Sequence, residues 1–165
     1  THCTSKDFVR MCQSIGWKSA ALSDLDMNAM LWKKLAVNCV VNPLTAIHGV
    51  KNGQLIGIEH MGQDINVTVR NILEEVSLVA MNATEHNACQ ESVKDQLSVT
   101  NLERFVFKVM NDTKNNVSSM LQDVNAKRAT EVRFLNGYVS SVGQKKYGLE
   151  CRWNMEMCRL VEKLS

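Results

Sequence analysis

The sequence predicts an all-α domain, and three observations carry that prediction. Proline occurs once in 165 residues, at Pro43, against an average usage of about 5%. Nine methionines and many leucines accompany a 5% aromatic fraction, a composition that suits helices better than sandwiches or barrels. Apolar residues recur at three- and four-residue steps in several separate segments, which is the period of an amphipathic helix.

In chain order, residues 7–14 predict a short helix that stops before Gly16, and residues 17–22 a brief extended or loop piece. Ser23 is placed to cap the main helix, which runs to about Val41 through Leu25, Leu31, Leu35 and Val40. Pro43 lacks a backbone donor and is expected to end or kink that helix. Three glycines between His48 and Gly57 predict a turn-rich connection. Ile65, Val69, Ile72, Val76 and Val79 form one helical face that continues to about Met81, and 84–91 reads as a polar loop. Leu102, Phe105, Val106, Val109 and Met110 start another helix, expected to run with a break toward Asn115. Val132, Leu135, Val139 and Val142 give a helix from about Lys127, and 155–164 gives a shorter last one. The sum is about six helices.

Composition also excludes function classes. A net charge of +2, with 19 basic and 17 acidic residues interspersed, sets up no broad field for nucleic acid or anionic lipid. No apolar run of about 18 residues predicts a membrane span, and THCTSKDFVR lacks the regions of a signal peptide, so a cytoplasmic location is expected. The six cysteines form no CxxC pair and read as reduced, mostly buried thiols. The four histidines have no HxxxH or HExxH spacing, so no metal is assigned. Four N-x-S/T sequons, at Asn66, Asn82, Asn111 and Asn116, are taken as coincidence. There is no Ser-His-Asp order, nucleophile elbow or glycosidase-type carboxylate pair, so hydrolysis has no visible apparatus.

Two stretches do not behave like core. In LWKKLAVNCVVNPLTA, Lys34, Asn38 and Asn42 stand at i, i+4 and i+8 on an otherwise apolar helix. Four-residue steps drift only about 40° around a helix, so an ammonium and two carboxamides share one narrow strip. A simple solvated face would give such a stripe too, but solvated faces favour Glu, Lys and Gln. Each interior asparagine lowers helix propensity by about half a kcal/mol relative to alanine, so a ligand-facing use is favoured. In NNVSSMLQDVNAKRATEVRFLNGY, Ser118 and Ser119 precede an apolar residue and Glu131 opens the next segment. Helix capping and a surface ion pair with Lys127 or Arg128 explain these residues equally well.

Together, WKKLAVNCVVNPLTAI at 32–47, the turn KNGQL at 51–55 and SSMLQDVNAKRATEVRFLNGY at 118–138 resemble the C-terminal domain of ketopantoate reductases. The resemblance extends from about Leu25 to the end of the chain. It divides the chain into residues 1–24, similar to the end of a nucleotide-binding domain, and a helical substrate and catalytic domain over 25–165. The fold implied is that of the 6-phosphogluconate-dehydrogenase-like reductases, in which a Rossmann domain that binds NADPH precedes the helical one. The activity implied is reduction of ketopantoate to pantoate, with a small-molecule partner, no nucleic acid or membrane partner, and room for a homodimer.

By the same resemblance, Lys34 donates the proton and polarises the ketone. Asn38, Asn42 and Asn52 hold polar groups of the substrate, and Ser119 receives its carboxylate, with Asn116, Val117 and Ser118 lining the segment. Glu131, in TEV, lies against the cofactor. Arg133 stands where the family commonly has aspartate, and Arg152 where it commonly has proline, changes that touch packing and the last helix start rather than these positions. The fingerprint G-x-G-x-x-G does not occur in these residues, so the pyrophosphate cradle lies outside them and the chain alone is expected to be inactive. The alternative is a non-catalytic helical module for dimerisation or small-acid binding.

Overall fold

The computed structural model describes residues 5–16, 23–84 and 90–164. The expected 17–22 connection, and the 84–91 loop apart from its ends, lie outside the described residues. Among the described residues there are eight α-helices, one 3-10 turn and a two-stranded hairpin. The helices are α1 (Ser5–Ser14), α2 (Asp24–His48), α3 (Ile65–Thr84), α4 (Gln90–Gln96), α5 (Val99–Asp112), α6 (Ser119–Asn125), α7 (Val132–Tyr147) and α8 (Arg152–Glu162). The all-α expectation holds, with two more helices than the periodicity resolved.

Helix α2 is the axis of the domain. Ser23 caps it, with Oγ accepting from the Asp26 amide at 3.1 Å, and Asp24 and Asp26 in the first turn complement the helix dipole. Gly49 ends it in the left-handed region at φ 65°, its N–H donating to the Thr45 carbonyl, a conformation glycine adopts without a Cβ penalty. Helices α3 to α8 all pack against it, so its C-terminal half is enclosed. From Cys39 to Ala46 every residue is buried. The main core joins Ala36, Val40 and Leu44 of α2 to Ile72 and Val76 of α3, Leu102 and Val106 of α5, and Met157 of α8.

The expectation that Pro43 ends or kinks α2 near Val41 is corrected in one respect, since the helix continues through the proline to His48. Pro43 removes the N–H that would have met the Cys39 carbonyl. Asn136 of α7 supplies the donor instead, its Nδ2 lying 2.9 Å from the Cys39 oxygen in a fully buried site. The amide gives its second hydrogen to Asn154 Oδ1 at 3.0 Å.

Asn154 is held in turn by Glu75, a buried carboxylate on α3 that caps α8. Its oxygens accept from the Trp153 amide at 2.8 Å, the Asn154 amide at 2.9 Å and Asn154 Nδ2 at 2.7 Å. Burial pushes the Glu75 carboxyl above its ordinary range, and the hydrogen bonds from Asn154 and Trp153 pull the other way.

The helix expected from about Lys127 begins later, at Val132, because Lys127 sits at φ 53°, a left-handed conformation that no helix continues through. The segment before it forms the separate helix α6. Helix α5 stops at Asp112 instead of running toward Asn115, with Thr113 N–H and Oγ1–H both donating to the Val109 carbonyl. Residues Glu59–His60 (β1) and Gln63–Asp64 (β2) pair antiparallel, a hairpin the turn-rich reading of 48–57 did not reach. It carries His60 to α2, where Nδ1 lies 3.0 Å from His48 Nε2, and burial lowers the pKa of both rings. Cys12, Cys39, Cys151 and Cys158 are free thiols, and burial pushes the latter two up to about 11.

Candidate functional site

The polar stripe of α2 descends from solvent into the protein. Lys34 is exposed, Asn38 is half-buried, and Asn42 is 9% exposed. Eight residues of helix place Lys34 and Asn42 about 12 Å apart along the axis. The neighbouring Lys33 has a different fate. Its Nζ donates to Gln96 Oε1 of α4 at 2.8 Å and stands 5.9 Å from the Phe105 ring, a structural cation–π arrangement. Among the described residues the Lys34 ammonium has no hydrogen-bond or ion-pair partner. The structure thus separates two adjacent lysines into one bound cation and one free one.

One turn beyond Asn42 the stripe meets α6. Thr45 Oγ1, fully buried, lies 2.6 Å from Ser118 Oγ and donates within its own helix to the Val41 or Asn42 carbonyl, at 2.7 and 3.0 Å. Ser118 is the N-cap of α6, with Oγ accepting from the Leu121 amide at 3.1 Å. The capping explanation for Ser118 is therefore correct, and it coexists with a place beside the stripe. Ser119 points the other way: it is exposed, and its hydroxyl stands 3.5 Å from Glu131 Oε1. Glu131 is the N-cap residue of α7, exposed, with no side-chain cap bond to its own helix. Its expected pairing with Lys127 or Arg128 is not made, since Arg128 binds Asp123 at 2.7 Å.

The second approach comes from the 3-10 turn Asn52–Leu55. Its backbone is clipped onto the α5–α6 connection, Asn52 N–H donating to the Asn116 carbonyl and Gly53 N–H to the Lys114 carbonyl, both at 3.1 Å. A Cβ on Gly53 would lie 2.5 Å from Lys114 Cβ, so only glycine permits this approach. Asn52 Nδ2 donates to Thr113 Oγ1 at 2.9 Å, while its Oδ1 is buried with no partner. Lys51 N–H donates to Gln54 Oε1 and closes the turn. Asn116 and Val117 are exposed on the connection itself, and Val117 contributes a carbonyl that accepts from Gln122 Nε2 at 3.0 Å.

The structure therefore joins Thr45, three residues after Asn42, to Ser118 and, on the other side of α6, Ser119 to Glu131, and it joins Asn52 to Asn116 through the clipped turn. Lys34 and Asn38 stand farther along the same helix face. Periodicity missed Thr45, although it follows Asn42 by three residues and continues the stripe. It also missed Asn136, which one consideration could have found: a proline inside a helix orphans the carbonyl four residues earlier, and some buried donor must meet it. Among the described residues no cluster of three or more His, Cys, Asp or Glu side chains is arranged to hold a metal ion. No described helix is long and apolar enough to cross a membrane.

Residues 26–165 match the family model described as the C terminal of ketopantoate reductase PanE/ApbA. A 2-dehydropantoate 2-reductase of Shigella flexneri is 40% identical over 114 residues, 69% of this chain and 32% of that protein. The Salmonella typhimurium 2-dehydropantoate 2-reductase is 36% identical over 138 residues, 84% of this chain and 40% of that one. The chain thus spans about a third to two fifths of the length of these curated relatives. Among solved structures, D-mandelate dehydrogenase in a ternary complex with NADH and anilino(oxo)acetate superposes with a TM-score of 0.75 at 24% identity, over 97% of this chain and 47% of that one. That likeness establishes the shared helical fold. On the matched model and relatives, the chain belongs to the ketopantoate reductase family, of which it carries the helical C-terminal domain.

Proposed function

We propose that this chain is the substrate-binding and catalytic half of an NADPH-dependent 2-dehydropantoate 2-reductase, which reduces ketopantoate to pantoate, and that residues 1–24 close a preceding nucleotide-binding domain. The observation that supports this reading is the free Lys34 ammonium at the exposed end of a stripe whose buried end, at Thr45, meets Ser118. A reduced nicotinamide supplies the hydride when bound. Lys34 hydrogen-bonds the ketone oxygen of ketopantoate, stabilises negative charge as it develops there, and gives that oxygen its proton. Asn38 and Asn42 offer carboxamide donors and acceptors to the remaining oxygens, which orients the carbonyl for attack on one face. Ser119 receives the carboxylate with the neighbouring 116–118 segment. Asn52, whose N–H and Nδ2 tie the turn to the 113–116 connection, adds a further polar contact to the substrate.

Glu131 suits the edge of the cofactor. Its carboxylate is exposed and engages one hydroxyl at 3.5 Å, which leaves acceptor capacity for hydroxyl groups of a nucleotide. The pyrophosphate would be held elsewhere, since no glycine-rich fingerprint occurs in this sequence.

The test is NADPH oxidation with ketopantoate by protein made from the complete reading frame, beside Lys34→Ala and Lys33→Ala. Loss of the acid and electrostatic contributions predicts a fall in kcat of about 10²–10⁴ for Lys34→Ala. Lys33→Ala should stay near wild type, because its ammonium is tied to Gln96. Equal losses in the two variants would remove Lys34 from the mechanism, and an inactive wild-type enzyme would remove the reductase reading.

A further inference from the structure

The buried contact between α7 and the middle of α2 falls between two members of the stripe. Pro43 denies a donor to the Cys39 carbonyl, and the ring of an interior proline crowds that same carbonyl. Cys39 lies between Asn38 and Asn42, so the weakened turn separates the Lys34–Asn38 half of the stripe from the Asn42–Thr45 half. Asn136 fills the gap. Its carboxamide is fully buried, and both N–H bonds are used, one on the Cys39 carbonyl at 2.9 Å and one on Asn154 Oδ1 at 3.0 Å. Asn154 is itself fixed by Glu75 Oε2 at 2.7 Å, so the orientation of the Asn136 amide is set by α3 and α8 together.

We propose that Asn136 is a positioning residue for the α2 stripe: its amide replaces the helix hydrogen bond that Pro43 removes and thereby fixes how Lys34 and Asn38 stand relative to Asn42 and the α6 junction. Packing alone would not require an amide here. A leucine of similar volume would fill the space and leave the Cys39 carbonyl orphaned in the core. The carbonyl needs the donor because residue 43 has no N–H, and that dependence is what an experiment can isolate.

This inference rests on the reductase reading for its catalytic consequence. The experiment is a double-mutant cycle of Asn136→Ala and Pro43→Ala in the full-length enzyme, read by NADPH oxidation with ketopantoate and by melting temperature. Misplacing half of the stripe predicts that Asn136→Ala lowers kcat on the order of tenfold when assayed well below its melting temperature. With alanine at position 43, the restored N–H meets the Cys39 carbonyl, and the same change should alter kcat by less than about twofold. If Asn136→Ala is insoluble, Asn136→Leu, which keeps the branching of the amide but has no donor, takes its place in the cycle.

Equal kcat losses from Asn136→Ala in the wild-type and Pro43→Ala backgrounds, or wild-type kcat in Asn136→Ala, would overturn the proposal. An inactive wild-type enzyme would instead refute the reductase reading and with it the catalytic consequence for Asn136. The coupling of positions 43 and 136 in melting temperature would then still decide whether the amide repairs the helix.

Discussion

Glu75 offers the sharpest test of how the helices around the site are locked together. Replacing it with alanine strips the α8 start of its acceptor. Three donors lose a partner: the Trp153 amide, the Asn154 amide and Asn154 Nδ2, at 2.8, 2.9 and 2.7 Å. Trp153 is half-buried, so water can reach its amide, whereas Asn154 is fully buried: its backbone amide would be orphaned and its Nδ2 would keep only the long contact to the Ile72 carbonyl at 3.4 Å. Each orphaned buried donor costs about 1–3 kcal/mol, partly offset because the carboxylate no longer has to be desolvated. A net loss of about 3 kcal/mol follows, which for a domain of this size lowers Tm by about 6–12 °C. Glu75→Gln keeps one acceptor oxygen but turns an NH2 toward the donors, and should fall roughly midway. The assay is thermal denaturation followed by circular dichroism at neutral pH. A Glu75→Ala protein melting within about 2 °C of wild type would refute the idea that this carboxylate holds α8 in place.

Three further outcomes are expected. Thr45→Val breaks the 2.6 Å contact with Ser118 and should cost about 1–2 kcal/mol, raising KM for ketopantoate in the full-length enzyme, with Thr45→Ser restoring both as checked by denaturation and kinetics. Gly53→Ala forces a Cβ within 2.5 Å of Lys114 Cβ and 2.9 Å of its Cα, so the clip must open; a loss of about 1–3 kcal/mol in urea denaturation is expected. The His48–His60 pair makes stability depend on acid. Both pKa values are lowered by burial, His60 also by His48, while Glu156 of α8 acts in the opposite sense on His60. Groups depressed on folding stabilise the protein above the ordinary histidine value of 6.5 and lose that contribution as pH falls through the folded values. His60→Leu should flatten the slope of unfolding free energy between neutral and mildly acid pH, and an unchanged slope would clear the pair of that role.

What could be read in the sequence divides along physical lines. Helices α3, α5 and α7 show one apolar face to the core and one polar face to water, so their period was visible. The C-terminal half of α2 is enclosed by neighbours, so Val40, Val41, Leu44 and Ala46 gave an apolar run with no period, and Pro43 was the strongest local signal present. That signal pointed to an early helix end, because the compensating donor, Asn136, lies 97 residues away. The break at Lys127 was hidden for the opposite reason, since a left-handed lysine leaves no mark in composition. Of the site, the stripe was legible from spacing alone. The Thr45–Ser118 and Ser119–Glu131 contacts were not, since a capping serine and a surface glutamate explain the same letters.

The stripe also has a direction, and that direction constrains how a ligand can lie on it. Exposure falls from Lys34 through Asn38 to Asn42 and reaches zero at Thr45. A charged group is cheapest to keep at the wet end and dearest at the dry one. The ammonium therefore stands where water can reach it, and the neutral amides and hydroxyls stand where desolvation is strongest. An ammonium at position 42 would be driven to lose its proton, and a carboxamide at position 34 could supply no proton to a ketone. Exchanging the two, Lys34→Asn with Asn42→Lys, would keep the composition and the spacing intact. Near-normal turnover in that double variant would show that the order along α2 is incidental, whereas its loss, beside a folded protein, would tie the chemistry to the gradient of burial along one helix.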